Sequence, residues 1–156
     1  VMRNVILMLQ GRYFSGWKCA AMNNEYILGI DPGSSKTGAA LLDSAGNIVR
    51  MDILWMDGFA KNLTKFLQTA KPKTCIIGNG TTSMKLQQTL AEILPDLELI
   101  VCDEAYSTEE ARKLYWELNP PKGWRRLMPL GMLTPSVPLD AYAAVVLVRR
   151  YLKQKL

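Results

Sequence analysis

Three acids stand where a metal-dependent chemistry could be assembled. Asp31 ends the apolar run Tyr26-Ile27-Leu28-Gly29-Ile30 and leads into the turn-forming stretch Pro32-Gly33-Ser34-Ser35. Glu104 follows the apolar run 97–102, and Asp140 opens the last helix-forming segment just after Pro138. A carboxylate at the end of a buried strand is costly unless it is paired, hydrogen-bonded or bound to a cation. Three of them converging would repel one another unless a divalent cation lay between them, and oxygen-only ligands suit Mg²⁺ or Mn²⁺. Two such ions about 3.5–4 Å apart can activate water and stabilise the leaving oxygen of a phosphodiester. Each acid also has a plainer reading: Asp31 as a turn residue, Glu104 as a solvated strand end, Asp140 as a complement to a helix N-terminus. Only their conjunction favours Asp31, Glu104 and Asp140 as catalytic and metal-binding residues.

The rest of the composition narrows the chemistry. The chain has no histidine, which removes imidazole acid–base catalysis, Ser-His and Cys-His nucleophiles and His-Cys zinc sites. Catalysis must then run on carboxylates, Lys, Tyr, hydroxyls or a metal held by oxygen. Cys19, Cys75 and Cys102 lack metal-type spacing and read as reduced thiols of a cytoplasmic protein. A net charge of +5 leans towards a polyanionic partner.

Phosphate contacts are expected from three places. The turn 33–38 departs from the Walker pattern, because Gly38 is followed by Ala39-Ala40 and the turn leads into a strand, yet Lys36 could still touch a phosphodiester. Asn79-Gly80-Thr81-Thr82-Ser83 is a better cradle, since it opens a helix; Asn79 and Thr81 are its candidate contacts. The loop 119–138 carries five prolines together with Lys122, Arg125 and Arg126, and is too long for a plain connector. Its Trp124 is expected to pack against the last helix, with stacking on an unpaired base as the alternative.

The elements that would position these residues follow from hydrophobic spacing. Strands are expected over 26–30, 37–42 and 48–55, joined so tightly that they must form an antiparallel meander. Phe59, Leu63, Phe66 and Leu67 then recur at helical spacing, followed by a strand over 74–78. A second helix has Met84, Leu86, Leu90, Ile93 and Leu94 as its apolar set; a fifth strand over 97–102, a third helix from Ser107 and a last helix over 139–153 complete the order. A meander followed by two βα crossovers implies an α/β fold: one mixed sheet, order 3-2-1-4-5, with helices on both faces and Asp31 at the end of the central strand. Ala143 and Ala144 would let the last helix approach the sheet closely.

At 156 residues the chain fits one domain, expected over 22–156 and preceded by an N-terminal extension, 1–21, of uncertain role. The apolar run 4–9 is too short to span a membrane, and no membrane partner is expected.

Taken in order, the motifs resemble a known family. Leu28-Gly29-Ile30-Asp31-Pro32-Gly33-Ser34-Ser35-Lys36-Thr37-Gly38 resembles the opening strand and turn of the RuvC and YqgF branches of the ribonuclease H-like nucleases. Ile77-Gly78-Asn79-Gly80-Thr81 and Asp103-Glu104-Ala105-Tyr106-Ser107-Thr108 resemble the middle motifs of YqgF-type domains, including the one within the transcription accessory protein Tex. Leu139-Asp140-Ala141-Tyr142-Ala143-Ala144-Val145-Val146-Leu147 is similar to the final YqgF helix. The resemblance spans residues 26–152. It implies a ribonuclease H-like fold and a Mg²⁺-dependent endonuclease acting on structured DNA or RNA, such as a Holliday junction resolvase or a nuclease maturing 16S rRNA. Carried over position by position, its acids are Asp31, Glu104 and Asp140. A homodimer is left open.

The departures matter for activity. Ala105 replaces the Arg that usually follows the Asp-Glu pair, Asn79 stands where RuvC proper has an acid, and Ala143 stands near the place of a second acid on the last helix. The ligand set is thinner, and the alternative is a non-catalytic nucleic-acid-binding domain of the Tex type with a relic acidic site. An ATPase of the sugar kinase type ranks last, because it needs two such domains around one nucleotide.

Overall fold

The computed structural model describes residues 25–80, 82–103 and 107–155. The expected extension 1–21 lies outside the described residues, as do Thr81 and Glu104. The elements run β1 (Ile27–Asp31), β2 (Lys36–Leu42), β3 (Ile48–Trp55), α1 (Phe59–Leu67), β4 (Thr74–Gly78), α2 (Ser83–Ile93), β5 (Glu98–Cys102), α3 (Ser107–Leu118) and α4 (Asp140–Lys155). Two short 3₁₀ turns, Gly123–Leu127 and Leu130–Met132, interrupt the loop between α3 and α4.

The sheet has the expected order, β3-β2-β1-β4-β5. β1 and β2 pair antiparallel, as do β2 and β3, whereas β1–β4 and β4–β5 are parallel. The β2–β3 turn is held by Asp43, whose Oδ1 accepts the amides of Ala45 and Asn47 at 3.0 and 2.9 Å. Gly46 takes a positive φ of 83° there, a conformation that costs any residue with a Cβ.

Strand alternation sorts the core into two layers. Leu28 and Ile30 of β1, with Ala39 and Leu41 of β2, face Phe59, Leu63 and Phe66 of α1 and Leu86 and Leu90 of α2. The alternate residues Ile27, Ala40, Leu42 and Ile76 face α3 and α4. α4 is buried at every position from 141 to 148, because it is wedged between the sheet and α3. Arg150 Nε also donates to Glu110 Oε2 at 3.0 Å, tying α4 to α3. Each fully buried Leu or Val contributes about 1.5–3 kcal/mol relative to an exposed one, so this double packing fixes α4 firmly. Met84 does not join the core as expected; it is exposed. Residues two positions apart on a helix are separated by about 200°, which turns Met84 away from the face carrying Leu86.

Gly29 shows how closely α4 approaches. A Cβ there would overlap the backbone carbonyl of Ala144 and the side chain of Val148. The helix backbone thus lies directly on the central strand, as the small residues at 143 and 144 suggested. Among the described residues, no helix is long and apolar enough to cross a membrane.

Candidate active site

Asp31 is the last residue of β1, half-buried, and its partner across the antiparallel pair is Gly38. Facing residues in such a pair project to the same side of the sheet. Gly29 and Ala40, each two residues away, face α4, so Asp31 and Gly38 belong to the α4 side.

Gly38 is also where α4 begins. A Cβ on it would collide with the carbonyl carbon and oxygen of Asp140 and with the amide nitrogen of Ala141. The first turn of α4 therefore rests on bare backbone at Gly38, the residue paired with Asp31. One glycine serves as the meeting point of the two acids, although they lie far apart in sequence.

Lys36 completes the group. It stands two residues before Gly38 on β2 and so projects to the same side. Its Nζ lies 3.1 Å from Asp140 Oδ2, with both side chains partly exposed. Lys36, expected as a contact to a phosphodiester, pairs with Asp140 in this structure. The signal was available in the alternation of Lys36 with Gly38, but not the identity of its partner.

The loops around this end of the sheet are also joined. Thr82 Oγ1 donates to the carbonyl of Gly33 at 3.1 Å, bringing the 79–83 loop against the β1–β2 turn. The Asn79 amide donates to the Cys102 carbonyl at 3.1 Å, so the ends of β4 and β5 stay together. Asn79 itself is exposed, and α2 opens without a side-chain cap at Thr82. The amides of its first turn are of the kind that attract anions.

Glu104 and Thr81 lie outside the described residues, and among the described residues no group of three acids, cysteines or histidines could hold a metal ion. What the described part contains is Asp31, Asp140 and the Lys36 ammonium paired with Asp140. Their fit to a metal can be judged from the donors: both are carboxylates, and Asp140 already presents an oxygen to a positive charge at 3.1 Å. That donor set suits a hard, oxygen-loving divalent ion.

Lys122, Arg125 and Arg126 are exposed on and beside the first 3₁₀ turn and form no ion pair among the described residues. Trp124, expected against the last helix, is 72% exposed instead. Burial pushes the pKa of Cys75 far up, and that of Cys102 up as well, partly opposed by Arg150.

No family model matches the chain. Curated relatives include the "Putative pre-16S rRNA nuclease" of Acetivibrio thermocellus, 26% identical over 145 residues, which are 83% of this chain and 96% of the relative. The protein of the same name from Staphylococcus carnosus is 27% identical over 143 residues, 81% of this chain and 94% of the relative. Among solved structures, Thermus thermophilus RuvC in complex with a Holliday junction substrate superposes with a TM-score of 0.52 at 12% identity, covering 83% of this chain and 96% of that one. That likeness shows the fold, which is ribonuclease H-like. The resemblance to the YqgF and RuvC branch, read from four short motifs, is thus matched by relatives and by a fold that extend over most of the chain.

Proposed function

We propose that this chain is a divalent-metal-dependent endonuclease that cleaves phosphodiester bonds in structured nucleic acid. The observation that carries the reading is the convergence of Asp31 and Asp140 on Gly38 at the C-terminal end of the central strand. Open α/β sheets bind their ligands at such a position. The curated relatives' name points to precursor 16S rRNA, and the RuvC complex to a four-way DNA junction.

Asp31 and Asp140, with Glu104 as the third acid, would hold Mg²⁺ or Mn²⁺. Such an ion would supply positive charge to the phosphodiester and acidity to water, in a chain with no histidine to serve as a neutral-pH base. The protein's own part is to hold two carboxylates rigidly on strand and helix termini, so that little reorganisation accompanies reaction. Asn79, Thr81 and the first turn of α2 would receive a phosphate. Lys122, Arg125 and Arg126 would bind the backbone further along, and a protein of this kind would work in the cytoplasm beside its substrate.

A second reading, a nucleic-acid-binding module with a relic site, has one observation in its favour: Lys36 already answers the charge of Asp140. The deciding experiment is a nuclease assay with Mg²⁺ and with Mn²⁺ on a four-way junction and on precursor 16S rRNA, with sedimentation run alongside to test for a homodimer. Cleavage that disappears in excess EDTA and in Asp31→Asn, while binding persists, supports the enzyme. Tight binding with no cleavage under any of these conditions supports the module.

A further inference from the structure

The loop between α3 and α4 is ordered from within yet turns its largest apolar side chains outward. Leu133 is buried, and Met128 and Val137 pack against the core. Asn119 Nδ2 donates to the Tyr142 hydroxyl at 3.1 Å, and the Tyr115 hydroxyl bonds Ser136 Oγ at 2.9 Å. The amides of Met128 and Met132 close 3₁₀ bonds to Arg125 and Pro129 at 3.2 and 2.9 Å. Between these anchors Trp124 is 72% exposed, Leu127 89% and Met132 70%. An anchored segment that turns several large apolar side chains to solvent is a candidate interaction surface.

The charge around that group selects the occupant. Residues 119–139 contain Lys122, Arg125 and Arg126 and no acid at all. A second copy docking face to face would set these cations against their own counterparts, which is repulsive. A nucleic acid with unpaired bases offers both complements at once, phosphates for the cations and flat apolar faces for the indole. The loop joins α3 to α4, whose first residue is Asp140.

We infer that the Gly123–Leu127 turn is a base-stacking wedge, in which Trp124, flanked by Leu127, engages unpaired or splayed bases while Arg125 and Arg126 hold the adjoining backbone. The inference rests on the nucleic-acid reading above and adds the feature recognised: an interruption of base pairing rather than continuous duplex.

The test is fluorescence anisotropy in EDTA with two labelled DNA probes of equal length, one fully paired and one with a central unpaired segment. Trp124→Ala is expected to weaken binding of the unpaired probe about 5- to 150-fold, the usual worth of one stacked base, and to change duplex binding little. Trp124→Phe should recover most of the loss. Because the side chain is exposed, a thermal melt should show the fold intact. Equal losses on both probes, no loss on either, or no binding of either probe by the unaltered protein would overturn the wedge. So would a Trp124-dependent self-association in sedimentation, or Trp124-dependent binding to anionic vesicles without an effect on the unpaired probe. Cleavage is measured separately with Mg²⁺: a protein that binds through Trp124 but cuts nothing keeps the wedge and loses the nuclease.

Discussion

The Lys36 ammonium lies 3.1 Å from Asp140 Oδ2, and the backbone of the same Asp140 rests on Gly38, two residues further along the strand that carries Lys36. Strand β2 therefore does two things to one acid. It seats the backbone and it supplies a countercharge.

That countercharge competes with any other cation for Asp140. Lys36→Met should tighten Mn²⁺ binding about 2- to 5-fold, the worth of a partly exposed ion pair. Electron paramagnetic resonance of free Mn²⁺ gives the affinity directly. A weaker affinity in the variant would mean that Lys36 organises the site instead of competing for it.

Gly38→Ala adds a methyl group where the Asp140 carbonyl already sits. Backbone cannot move aside as a flexible side chain can, so the start of α4 must shift. Urea denaturation should show a loss of about 1–3 kcal/mol, the usual cost of overpacking. Cleavage should fall further than stability alone explains, because the shift also separates Asp140 from Asp31.

Arg125→Ala combined with Arg126→Ala should flatten the salt dependence of nucleic-acid binding. Each lost phosphate contact reduces the slope of log affinity against log salt by about 0.7–0.9, so the double variant should lose about 1–2. A titration between low and physiological salt measures it, and an unchanged slope would return these residues to an ordinary solvated loop.

The Arg150 guanidinium bonded to Glu110 holds that carboxyl below its usual pKa. A folded pKa lower than the unfolded one stabilises the protein above the unfolded value of about 4.3, and the contribution fades as pH falls through the folded value. Glu110→Gln should thus lower stability at pH 7 but hardly change it at pH 3. The pair is partly solvent-exposed, so the difference should be about 0.2–1 kcal/mol. Thermal melts of both proteins at the two pH values would show it.

Much of this was legible in the sequence because it depends on local period and connection length. Tight turns forced the meander, the helical spacing of Phe59, Leu63 and Phe66 gave α1, and the two βα units fixed β4 and β5. Ala143 and Ala144 announced a close helix, and Gly29 against the Ala144 carbonyl is where that closeness occurs. Contacts between distant elements were less legible. Nothing in the spacing of Lys36 says that it meets Asp140 rather than a phosphate. Trp124 looked like core because aromatic residues usually are, but its turn is anchored through Met128 and Leu133 and leaves the indole outside. Met84 misled for a simpler reason, a position on the wrong side of its helix.

The seating of α4 on Gly38 also sets an order in time. During synthesis the meander that carries Asp31 and Lys36 emerges early and can pair locally, while Asp140 arrives only after the whole sheet and the long loop have been made. Until that last helix docks, Asp31 stands at the strand end without Asp140, and Lys36 lacks its carboxylate partner. The meeting of β1 and α4 at Gly38 is therefore completed only with the last step of folding.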